Sequence, residues 1–126
     1  MLQQISESEL TLMQIIWQNE GHALYSQIME QLAAQQNDWK KNTVLTLLSR
    51  LVEKGYLRTS KIGRRNEYAA MITQQEYQAA QTQSFVHKIY GGSAKNLICA
   101  LLQQEALYAE ELQEIESFWR QEVKTK

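Results

Sequence analysis

A chain of 126 residues with 44% apolar and 21% charged side chains has room for one modest core, or for a small domain with an appendage that needs a partner's surface. It holds no apolar run near the roughly 20 residues of a membrane span, and its start, MLQQISESEL, lacks the basic and apolar stretches of a leader, so a cytoplasmic protein without membrane insertion is expected. The net charge of −1 conceals an asymmetry: eight of the thirteen Lys and Arg residues lie between Lys40 and Arg65, and none precedes them.

The absence of proline and the presence of only five glycines predict a mainly helical chain in which glycine marks the boundaries. Ser6 and Glu9 stand at capping-box spacing, and Leu10, Met13, Ile16 and Trp17 fall on one face of the helix that follows, which should stop near Gly21. His22 reads as a loop histidine in the polar turn beside it. Tyr25, Ile28, Met29 and Leu32 then form the stripe of a second short helix, which dissolves into the polar residues 35–38.

A third helix is predicted over residues 41–54, with Val44, Leu47, Leu48, Leu51 and Val52 as its buried stripe and Gly55 as its left-handed cap. At about 100° per residue, Asn42, Thr46, Ser49 and Glu53 lie opposite that stripe, with Thr43 and Arg50 on one flank and Leu45 on the other. A face this small, polar and basic suits a major groove, where Thr and Asn bond base edges or phosphates and Arg reaches guanine or the backbone. Simple solvent exposure is the alternative, although Leu45 fits it poorly.

After Gly55 the period changes. Residues 56–61 and 65–71 read as two strands joined by a bend at 62–64, a hairpin with Lys61, Gly63, Arg64 and Arg65 at its tip. Three helices and a basic hairpin predict a winged helix-turn-helix over residues 1–72. Residues 39–68 carry eight basic side chains against two acidic ones, a local balance of +6, and polyanions respond to such local potential. The expected DNA-binding residues are Lys40, Lys41, Asn42, Thr43, Leu45, Thr46, Arg50, Lys61, Arg64 and Arg65.

Beyond Met71 the sign reverses, with five basic residues against seven acidic. Thr73 and Glu76 repeat the capping-box spacing and open a helix through Tyr77, Ala80, Ser84, Phe85 and Ile89 that ends at Gly91 and Gly92. Ser93 suits the cap of the next, which presents Leu97, Ile98, Leu101 and Leu102; a last helix carries Leu112, Ile115, Phe118 and Trp119. Three short helices do not enclose these side chains alone, so residues 73–126 are expected to form a dimerisation arm through Tyr77, Phe85, Ile89, Leu97, Ile98, Leu101, Leu102, Leu112, Ile115 and Trp119. Folding of the arm back onto its own wing domain is the alternative.

Chemistry-bearing residues are sparse. His22 and His87 have no companion at metal-ligand spacing, Cys99 reads as a small buried side chain, and no nucleophile motif or phosphate loop occurs. An enzyme, a cofactor or a metal is therefore not expected.

The stretch DWKKNTVLTLLSRLVEKG, the GRRNEY of the hairpin, the HKIYGG at residues 87–92 and the opening ISESELTLMQIIW together resemble the penicillinase repressor group, the BlaI/MecI/CopY family of bacterial regulators. The resemblance implies a homodimeric winged-helix repressor that binds palindromic operator DNA and is displaced by an inducing signal. It matches Thr43, Thr46 and Arg50 to the family's recognition-helix contacts, and Arg64 and Arg65 to its wing. Lys40 and Lys41 replace a common Ser-Pro, while Asn42 and Leu45 stand where Lys and Arg are frequent. A sensor-linked protease, the partner of the antibiotic-sensing branch, cuts at an Asn-Phe step; Ala100 and Leu101 occupy that place here, and the paired C-terminal cysteines of the copper-sensing branch are missing. Two other functions stay open: a regulator binding a small effector near Tyr77, Tyr108 and Trp119, and an interaction module that leaves DNA alone.

Overall fold

In the computed structural model, which describes residues 2–124, helix α1 (Glu7–Gln18) begins where Ser6 and Glu9 exchange hydrogen bonds, amide to carboxylate at 3.0 Å and amide to hydroxyl at 3.1 Å. Two of the unpaired amides at the helix start are thereby satisfied. The elements that follow are β1 (His22–Leu24), α2 (Tyr25–Ala34), α3 (Lys41–Glu53), β2 (Leu57–Ile62), β3 (Arg65–Ala70), α4 (Gln74–Tyr90), α5 (Ala94–Gln103) and α6 (Ala109–Lys124). The chain is mainly helical with a small β-hairpin wing, as its periodicity predicts.

Two compact units divide the chain, Met1–Ala80 and Gln81–Lys126. In the first, α1, α2 and α3 bury Leu12, Met13, Ile15, Ile16, Ile28, Leu32, Val44, Leu48 and Leu51 against Tyr56, Leu57 and Tyr68 of the hairpin region. The five-residue stripe expected on α3 lies on this inner side, and its end takes the predicted form. Gly55 adopts φ 82°, its amide donates to the Val52 carbonyl, and the Tyr56 amide donates to Leu51 at 2.9 Å, the paired bonds of a Schellman cap.

The sheet is antiparallel in the order β1-β3-β2. Strands β2 and β3 pair from Leu57 opposite Ala70 to Ile62 opposite Arg65, and Gly63, at φ 65°, opens the two-residue turn between them, a conformation that favours glycine. Strand β1 corrects the expectation of a loop at His22: His22 pairs with Ala69, Ala23 with Tyr68 and Leu24 with Glu67. Three residues have no periodicity of their own, and the strand forms because β3 offers a free edge.

The first unit also reaches further than residue 72. Tyr77, in the first turn of α4, packs on the winged-helix core with its ring centroid 5.6 Å from Trp17 and 6.0 Å from Tyr56. The Trp17 indole N–H donates to the Ile72 carbonyl at 2.9 Å, which fixes the chain just before the Thr73–Glu76 capping box, itself formed at 3.0 and 3.1 Å.

In the second unit Ser93 caps α5 by accepting from the Asn96 amide at 3.2 Å, and the Glu111 carboxylate accepts the Tyr108 amide at the start of α6. Phe85 and Tyr90 stack at 5.8 Å. Neither α4 nor α5 buries a residue, and among the described residues every buried apolar side chain lies between Leu12 and Tyr68. Cys99 is accordingly exposed rather than buried, since α5 has no covering layer. No helix of the described residues is long and apolar enough to cross a membrane.

Candidate nucleic-acid interface

Helix α3 turns its amphipathic pattern into two surfaces of opposite character. While Val44, Leu47, Leu48 and Leu51 are buried, Lys40, Lys41, Asn42, Thr43, Thr46, Ser49 and Arg50 are all exposed. Asn42, Thr43, Thr46 and Arg50 line one shallow groove of about 360 Å3 along the helix. The Thr46 hydroxyl donates to the Asn42 carbonyl at 2.9 Å, so its oxygen keeps its acceptor capacity toward an incoming donor. Lys40 occupies the N-cap position with no side-chain cap bond, which leaves the first amides of α3 unpaired and suited to an anion.

On the other flank of α3 the structure brings together side chains that lie far apart in sequence. Lys41 and Leu45 of the helix and Arg64 and Arg65 of the hairpin line a single cleft of about 650 Å3. Tyr25, Ser26 and Asn66 complete it beside Leu24 and Glu30. Charge and helical phase do not single out these three; the signal that points to them is their place at the first turn of α2 and next to the hairpin bend. Burial raises the Tyr25 pKa above its ordinary value, with a smaller contribution from Tyr68, so the phenol is uncharged at neutral pH and adds no repulsion to a polyanion. Lys61 sits one residue before the bend of the hairpin, opposite Asn66, and is exposed.

Of the ten side chains expected at a DNA surface, eight therefore fall into two patches on the two flanks of α3, the second shared with the hairpin, with Lys40 at the helix start and Lys61 on β2. The residues expected in the dimerisation arm divide differently. Tyr77 belongs to the first unit, whereas Phe85, Ile89, Ile98, Leu101, Leu102, Leu112, Ile115 and Trp119 are exposed and Leu97 is half-buried in the second. His87 is exposed, and among the described residues no three His, Cys, Asp or Glu side chains gather at metal-binding distance.

Three core helices, the third with a polar basic outer face, and a cationic hairpin beside it define a winged helix-turn-helix protein. The comparisons narrow this class. The sequence profile of the penicillinase repressor family matches residues 5–121, and the chain belongs to that family. It is 30% identical over 112 residues to the penicillinase repressor of Bacillus licheniformis, covering 89% of this chain and 86% of that protein. It is 28% identical over 112 residues to the methicillin resistance regulatory protein MecI of Mammaliicoccus sciuri, covering 89% of each. A solution structure of the monomeric form of Bacillus licheniformis BlaI in complex with the blaP half-operator superposes with a TM-score of 0.51 at 31% identity, covering 61% of this chain and 92% of that one.

Proposed function

We propose that this protein is a sequence-specific transcriptional repressor that binds a two-fold symmetric DNA operator as a homodimer and leaves it when an inducing signal arrives. The observation that carries the reading is the placement, on the two flanks of one helix, of the α3 groove lined by Asn42, Thr46 and Arg50 and of the cleft that holds Arg64 and Arg65. The first surface offers groups for base edges and the second offers charge for phosphates. A relative solved in its monomeric form on a half-operator supports DNA binding by this fold.

The homodimer is supported by the second unit. Its exposed apolar side chains, among them Ile98 at 52%, Ile115 at 49% and Trp119 at 61% exposure, occupy helices without a core of their own, and an uncovered apolar surface is most simply covered by a second copy. A salt titration tests the DNA reading: with a duplex selected by the purified protein from random-sequence DNA, log K should fall steeply and linearly with log salt concentration. A protein-interaction module would select no duplex and show no such slope.

A further inference from the structure

Leu45 has no part in the core. Val44, Leu47, Leu48 and Leu51 of α3 are core members and Val52 packs against them, but Leu45 belongs neither to the core cluster nor to the apolar side chains packed on it. It is half-buried and lines the cleft whose cations are Lys41, Arg64 and Arg65, with Glu30 the one carboxylate among the lining residues. An isobutyl group kept partly in contact with water outside the core, and framed by cations that attract a duplex, is matched by an apolar group on that duplex.

Phosphates offer none. Of the groups that base pairs display in the major groove, the thymine 5-methyl is the apolar one. Asn42 lies three positions before Leu45, so the two are neighbours on the helix surface, and an adenine-type contact by the Asn42 amide brings Leu45 to an adjoining base pair.

We infer that Leu45 packs on the 5-methyl group of a thymine in each half-site, so that this position of the operator is selected by an apolar contact rather than by a hydrogen bond. The assignment rests on the operator-binding function proposed above and adds to it the chemistry of one base position. Deoxyribose carbons are a competing apolar surface, and they are present at every nucleotide whatever its base.

The experiment uses the full-length protein and the duplex it selects from random-sequence DNA. Each thymine of the half-site is replaced in turn by deoxyuridine, which removes the methyl and retains the pairing edge. One replacement should weaken binding about fourfold, the value of one buried methyl group, and Leu45→Ala should erase that sensitivity while keeping the salt dependence and the melting temperature of the native protein. Native protein indifferent to deoxyuridine at every position overturns the assignment without any variant being made; so does a half-site lacking thymine, or a Leu45→Ala protein that retains the full deoxyuridine penalty. A protein that selects no duplex overturns the operator reading itself, and the assignment with it.

Discussion

The Lys54 ammonium lies 3.0 Å from both carboxylate oxygens of Glu9 and 3.0 Å from the Gln4 carbonyl, fastening the end of α3 to the start of α1 and to the chain before it. The Tyr56 hydroxyl adds a hydrogen bond to the Gln3 carbonyl. Glu9 is only 3% exposed, so its charge depends on this partner. Lys54→Met should cost about 2–3 kcal/mol in chemical denaturation, because it leaves a buried carboxylate uncompensated. A change within experimental error would show that solvent replaces Lys54 freely.

The same pair gives a pH dependence of known sign. Burial pushes the Glu9 pKa up, but hydrogen bonds from the Ser6 amide, Lys54 and the Ser6 hydroxyl outweigh it and hold the group below its ordinary value of 4.5. A carboxylate with a depressed folded-state pKa contributes stability that is present above the ordinary value and is lost as pH falls through the folded one. Thermal melts should therefore decline from about pH 4.5 downward, and Glu9→Gln should be less stable at neutral pH with a flatter acid limb. An acid limb as steep as that of the native protein would assign the loss to other carboxylates.

At the α3 groove, Arg50→Ala and Thr46→Ala should reduce discrimination between the selected duplex and random DNA by about 1–3 kcal/mol for the arginine and less for the threonine. Gel shifts with competitor DNA measure this. Unaltered affinity and unaltered discrimination in Arg50→Ala would mean that α3 does not face the bases.

The hairpin should behave otherwise. Replacing Arg64 and Arg65 together with alanine should weaken binding to every duplex alike and lower the salt slope by about two for each protomer bound, one for each lost phosphate contact. A loss confined to the selected sequence would instead make the hairpin a reader of bases.

In the second unit, Leu101→Asp or Trp119→Ala should shift the protein toward monomer in light scattering, since each removes apolar surface that the chain itself leaves uncovered. A dimer mass that survives both changes would move the interface elsewhere.

Local signals were legible in the chain to the degree that they were self-contained. Ser6 with Glu9, Thr73 with Glu76 and Ser93 are caps whose donors and acceptors lie three residues apart, and all three form. The α3 stripe and the hairpin bend at Gly63 belong with them, each decided within a turn or two of chain. Contacts between distant segments left no comparable trace. Strand β1 exists through its pairing with β3, and Tyr77 reads as one more apolar residue of an arm helix until Trp17 and Tyr56 are placed beside it. The cleft shows both limits: charge pointed to Lys41, Arg64 and Arg65, whereas Ser26 and Asn66 join them through the packing of α2 and the hairpin.

Strand β1 also has a mechanical meaning. It runs straight into α2 and is laced along β3, the strand that carries Arg65, so the helix-turn-helix and the hairpin share a backbone splint. The pitch between the two parts proposed to face DNA is then set by a register of three residue pairs, and a proline introduced at Ala23 should let them swivel independently, blurring operator choice while every side chain proposed to contact DNA stays unaltered.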